Sequence, residues 1–144
     1  MKQPKQTWVL GDLYTFHLST PEITILEVEC KGQQGPPLHS HKEEEESFYV
    51  LDGEVEVTCE SSTMLAGPGR FIHFPKGTRH TFRNVALHGS RLLVTITPGN
   101  FANLFREVGI ADAEEAHKPA RLQQAREKLM AIAERYGLQI APPS

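Results

Sequence analysis

Three histidines and one glutamate in this chain have the spacing of a metal site. His39 and His41 are separated by a single residue. On a β-strand, residues i and i+2 point to the same face, so both imidazoles reach one ion without bending the backbone. Glu46 follows five residues later, across a short loop, at the start of the next expected strand. His80 comes from a separate segment, three residues after Gly77. Four ligands from three strand segments facing one interior make a preformed cage. The donor set narrows the ion: imidazole and carboxylate together accept iron, manganese, nickel, cobalt, copper or zinc. With no thiolate in the set, a Cys-rich structural zinc site is excluded. Three imidazoles and a carboxylate fill four positions of an octahedron. The remaining two are free for water, dioxygen or a chelating substrate, which is the layout of a reacting site rather than a closed one.

The elements that must position these groups are β-strands. Up to residue 98 the hydrophobic period is two, with strands predicted over 13–18, 23–30, 38–41, 48–51, 54–59, 70–74, 81–84 and 91–97. Asp52-Gly53 reads as a hairpin turn between two of them, and Gly67-Pro68-Gly69 as another turn. Many short strands at this spacing predict a sandwich or barrel. Strand parity then places Phe48 inward with Glu46, and Phe82 inward with His80, so both rings would wall the metal cavity. His73, on the strand entering Pro75, is expected to line it too, as a residue supporting the metal or as an acid-base group. Arg79 and Arg83 fall on the opposite parity and should face out. An aromatic, apolar cavity with an open metal favours a flat or apolar substrate over a sugar phosphate.

Beyond Thr97-Pro98-Gly99 the period becomes helical. Phe101, Leu104, Phe105 and Val108 form one stripe, ended by Gly109. A second helix is predicted from Pro119, with Leu122, Ala125, Leu129, Ile132, Ala133 and Tyr136 on one side and Gly137 as its stop. Both stripes are expected to pack on the barrel. The organisation is thus one domain: a barrel over 1–98 and a helical extension over 99–144.

Composition agrees with a single small-molecule-binding domain. The chain has 144 residues, a formal net charge of −3 and no basic cluster, which argues against nucleic acid and membrane-surface partners. No apolar run approaches membrane-spanning length, and Met1–Thr7 lacks the apolar run of a secretory signal, so a cytoplasmic location is expected. Cys30 and Cys59 fit no metal or redox pattern and read as free thiols.

Two stretches resemble the motifs of the cupin superfamily. Residues 36–53, from Pro36-Pro37-Leu38-His39-Ser40-His41 to Asp52-Gly53, look like the first motif, G-x5-HxH-x3,4-E-x6-G, with the leading glycine displaced by one position to Gly32. Gly69-x5-Pro75-x-Gly77-x2-His80-x3-Asn84 resembles the second at every specified position. The motifs thus run over 32–53 and 69–84. The resemblance implies a mainly β fold, the double-stranded β-helix or jelly-roll barrel, with His39, His41, Glu46 and His80 as metal ligands. The pattern would also admit Glu45, but only Glu46 stands at the motif distance from Gly53. Glu43 and Glu44 then read as a solvated face. The remaining histidines, His17, His88 and His117, read as surface or satisfied core groups.

The segments 97–109 and 134–143 are similar to the helical tails of small bacterial cupins of the quercetin 2,3-dioxygenase type. That likeness implies a metal-dependent dioxygenase acting on a flavonol-like or enediol compound, with Glu46 as ligand and catalytic base. The alternatives are a non-redox isomerase or lyase and a binding protein without catalysis. It also implies a homodimer in which 8–18 adds to the partner's sheet.

Overall fold

The computed structural model describes residues 5–141, so Met1–Pro4 and the Pro142-Pro143 end of the tail segment lie outside it. Among the described residues, eleven strands form two antiparallel sheets that face each other. In chain order they are β1 (Lys5–Val9), β2 (Asp12–Ser19), β3 (Thr24–Cys30), β4 (His39–His41), β5 (Glu45–Asp52), β6 (Val55–Cys59), β7 (Ser62–Ala66), β8 (Phe71–Phe74), β9 (His80–Asn84), β10 (Ser90–Thr97) and β11 (Leu138–Ile140). One sheet runs β1-β2-β3-β10-β5-β8 and the other β11-β4-β9-β6-β7.

The alternation read from the sequence is the alternation of burial. On β3, Leu26, Val28 and Cys30 point inward; on β10, Leu92, Val94 and Ile96 do so. With Phe48, Val50, Val55 and Val57 these form the interior between the sheets. Each fully buried side chain of this kind contributes roughly 1.5–3 kcal/mol.

Three features differ from expectation. Asp52-Gly53 is a corner rather than a hairpin. β5 pairs with β10 and β8, while β6 pairs with β7 and β9, so the turn hands the chain from one sheet to the other. Only Gly53 has positive φ, at 84°, so the two-residue hairpin geometry is not formed. Ser90 Oγ holds the corner, donating to Asn84 Oδ1 at 2.6 Å and accepting from the Glu54 amide at 3.0 Å. True hairpins join β1 to β2 and β6 to β7. Their tips hold Leu10 at φ 50° and Glu60 at φ 54°, residue types that carry no turn signal.

The third difference is at the end of the chain. A 3-10 turn (Gly99–Ala102) leads into α1 (Asn103–Val108), followed by a single turn α2 (Ala113–Ala116) and α3 (Pro119–Ile132). Phe101, Leu104, Val108, Ala125, Leu129 and Ala133 join the same core cluster as the barrel strands. Gly137, at φ 69°, then turns the chain out of its helical course. The tail is therefore not helical throughout: β11 pairs with β4, placing Leu138 opposite His41 and Ile140 opposite His39.

The stretch 8–18 lies in the chain's own sheet, and the main chain of Trp8 bonds that of Ile110 in both directions at 2.9 Å. Cys30 and Cys59 are free and stand on different sheets. Among the described residues no helix is long and apolar enough to cross a membrane.

The loop before β4 rests tightly on β9. Thr81 Oγ1 donates to Pro36 O at 2.5 Å, and a Cβ on Gly35 would overlap the Phe82 carbonyl oxygen. Gly35→Ala should therefore destabilise the protein by about 2 kcal/mol or more. Gly32→Ala adds a methyl group into open space and should be within about 0.5 kcal/mol of wild type. Urea unfolding of the two variants checks both values.

Candidate metal centre

The four sequence-predicted ligands meet between the sheets. Glu46 comes from β5 of the six-stranded sheet; His39 and His41 come from β4, and His80 from β9, of the five-stranded sheet. His39 and His80 are direct cross-strand partners. One ligand atom from each of the four lies within 4.8 Å of the others. Ligands on opposite sides of an ion with bonds of about 2.1 Å stand about 4.2 Å apart, so small rotamer movements close this cage. His41, Glu46 and His80 are buried, and His39 is half-open to the adjoining chamber.

Two of the rings are oriented by main-chain carbonyls. His39 Nδ1 lies 2.7 Å from Pro37 O, and His80 Nδ1 lies 2.9 Å from Thr78 O. Donation there puts the lone pair on Nε2 and turns it toward the centre. Phe74 stacks flat on His80 at 4.0 Å between centroids, and Phe101 meets His41 edge-on at 4.4 Å. His41 is different: both of its nitrogens are buried with no hydrogen-bond partner. Such orphaned groups are costly, and an ion at Nε2 relieves one of them. The donor set and the orphaned nitrogen both fit a divalent transition ion.

The electrostatics favour the same state. Burial would push the Glu46 carboxyl up, but the His80 hydrogen bond and the fields of His41, His80 and His39 together hold it at about 2. Burial, with His80 nearby, lowers His39 to about 4 and also lowers His41. At neutral pH the site thus presents a carboxylate and two neutral imidazoles. For His80, burial is outweighed by Glu46, 2.9 Å away, and its pKa is raised.

Other expectations need correction. His73 does not line the cavity. It sits opposite Ser47 with its ring on the outer face, 2.8 Å from Ser47 Oγ and 3.0 Å from Glu45 Oε1. The inward residue of that strand is Phe74, opposite Glu46. Glu45 is exposed and so stands apart from the cluster. Glu44 is not solvated: it is 8% exposed, and its buried, unpartnered Oε1 is 3.9 Å from His41 Nδ1. Phe48 is inward but packs beneath the site against Phe74 and Phe82, whereas Phe82 does reach the chamber wall. Arg79 and Arg83 face out, paired with Glu60 and Glu56.

The chamber itself has a volume of about 430 Å³ and opens onto His39, His41 and Glu46. Its wall is largely apolar and is shared between barrel and tail: Phe101, Leu104 and Phe105 from the first helical segment, Leu129 from α3, Leu138 and Ile140 from β11. Asp12 and Tyr14 of β2 also line it, with Arg126 and Met130 at the exposed rim. These polar groups carry no motif; only tertiary structure brings them to the chamber.

A model of the cupin domain family matches residues 26–96. This chain is a small cupin. It is 33% identical over 111 residues to quercetin 2,3-dioxygenase of Bacillus subtilis (strain 168), a match covering 76% of this chain and 29% of that protein. The chain thus spans about three-tenths of the curated relative's length. Among solved structures, it is similar to an RmlC-like cupin from Shewanella frigidimarina, with a TM-score of 0.61 and 18% identity over 67% of this chain and 85% of that one. A sugar phosphate isomerase of the cupin superfamily from Silicibacter pomeroyi gives a TM-score of 0.59 at 18% identity, covering 67% and 75%. At these identities the structures show the shared fold.

Two measurements on this cupin follow. Cobalt(II) affinity should rise with pH by up to about tenfold per unit while His80 is protonated, and level off above its pKa. Calorimetry at several pH values and in two buffers should show proton release on binding. Glu44→Ala should weaken cobalt(II) binding about 10–100-fold, because it removes the acceptor facing His41 Nδ1. The exposed Glu43→Ala should change it less than about twofold.

Proposed function

We propose that this cupin is a metal-dependent dioxygenase acting on a flavonol-like or enediol small molecule. The observation that carries the reading is a buried three-histidine, one-glutamate cluster facing a largely apolar chamber of about 430 Å³. The likeness to the Bacillus subtilis quercetin 2,3-dioxygenase supports it.

A divalent transition ion held by His39, His41, Glu46 and His80 supplies Lewis acidity toward an ionised hydroxyl and, when redox-active, electron exchange with dioxygen. The protein's own groups do the rest. Glu46 faces the chamber as a carboxylate at neutral pH, so it is placed to hold the substrate hydroxyl by a hydrogen bond and to take its proton, although its neighbours keep it a weak base. Phe82, Phe101 and Leu104 hold a flat ring system by apolar contact and exclude water from the reacting end. Among the described residues, Arg126 is the one lysine or arginine on the wall, and it stands exposed at the rim. A doubly charged phosphate would therefore find no buried cationic side chain among the described lining residues away from the ion, which favours a substrate that is uncharged beyond its chelating hydroxyl.

The test is oxygen uptake by protein loaded separately with each candidate metal, offered flavonols and enediols. Uptake with one redox-active metal is expected, and His80→Ala should lower both metal content and rate, the latter by roughly 100-fold or more. Metal binding without uptake on any of these compounds would overturn the dioxygenase reading. It would leave non-redox lyase or isomerase chemistry, or binding alone. The homodimer belongs to the same proposal; light scattering showing a monomer at micromolar concentration would remove it.

A further inference from the structure

The chamber wall carries two polar side chains that the metal chemistry does not use. Tyr14 is 9% exposed, and its ring is fixed edge-on to Phe105 at 4.9 Å between centroids. Among the described residues its hydroxyl has no hydrogen-bond partner in the chain, although it borders the chamber. Asp12 lies two residues earlier on the same face of β2, about 7 Å along the strand. The Cys30 thiol, a weak donor, stands beside its carboxyl. No nitrogen or hydroxyl donor among the described residues reaches it. Asp12, Tyr14 and Glu46 all line the same chamber.

Neither group is sealed from the chamber, so each is free to meet solvent in the empty protein, and a ligand that displaces that solvent must supply hydrogen bonds of matching chemistry. A hydroxyl meets both needs, since it can donate to Asp12 and accept from Tyr14. An anionic group would be repelled by Asp12. A plain hydrocarbon ring would leave both groups unpaired. Burial pushes Asp12 up to about 7, against the neighbouring Cys30 thiol and the field of His117, so near neutral pH it can give as well as take a hydrogen bond.

We infer that Asp12 and Tyr14 form a specificity subsite for a hydroxyl on the substrate ring remote from the chelating end. The substrate class narrows accordingly to polyhydroxylated aromatic compounds, in preference to aromatic chelators with no second hydroxyl. This rests on the chelating, flavonol-like reading of the site.

Zinc(II)-loaded protein under argon, which cannot turn over, can be titrated by absorbance with two ligands. One is 3-hydroxyflavone, which carries only the chelating hydroxyl; the other is quercetin, which carries further ring hydroxyls. Quercetin is expected to bind about tenfold more tightly. Tyr14→Phe and Asp12→Asn should each remove most of that preference while leaving 3-hydroxyflavone within about twofold. Both changes conserve shape, and circular dichroism with zinc stoichiometry confirms an intact barrel. Equal affinity of the two ligands for wild type would overturn the subsite and leave the chelating reading standing. Equal weakening of both ligands by the variants would also overturn it, by showing a packing role. Failure of either flavonol to bind wild type would overturn the chelating reading, and the subsite with it.

Discussion

A carboxylate buried among phenylalanines is the most expensive group in this barrel, and the rest of the site is arranged around making it tolerable. Glu46 stands between Ile96 and Phe74 in its own sheet, where nothing beside it can neutralise its charge. The compensation comes from across the interior, from three imidazoles on the facing sheet. Burial of a charge is sustained only when it is paired and hydrogen-bonded. The sheets are therefore joined at this level by electrostatics as well as by apolar contact. The same arrangement holds Glu46 ionised and two of its partners neutral, the protonation pattern that a divalent cation selects.

Around that tie, the three histidines are not equivalent. His39 and His80 are oriented by carbonyls two residues before them, contacts local to their own strands. His41 has no such carbonyl and is faced instead by Glu44. A carboxylate behind an imidazole makes that ring a stronger donor to a metal than a carbonyl does. The cage thus combines two rigid ligands with one whose basicity depends on a neighbouring loop.

The ligands are legible in the sequence because strand periodicity is strict: a His-x-His pair on a strand must face one way, and the motif spacing fixes which glutamate joins it. The alternation of β3 and β10 is readable for the same reason. His73 cannot be placed by parity, because Phe71, Ile72 and Phe74 put apolar residues on both faces of β8, which erases the signal. Glu44 escapes notice because a run of four glutamates looks solvated until the Lys42 amide is seen bonded to the Gly137 carbonyl, which ties the loop to the tail. Asp52-Gly53 marks a sharp turn correctly, but which strands pair across it is decided by burial elsewhere. Asp12 and Tyr14 have no signal at all, since a strand face acquires a chamber only when the tail closes over it.

The pairing of β11 with β4 bears on the order in which the molecule is assembled. The strand carrying His39 and His41 meets β9 at one residue pair only, and its other edge is completed by Leu138–Ile140. Almost a hundred residues separate those two strands along the chain. During synthesis the barrel strands leave the ribosome first, and β4 remains a frayed edge until residue 140 has emerged. The geometry of the His39 and His41 pair is therefore set jointly by the barrel and by β11, and the far strand acts as a latch on the near one.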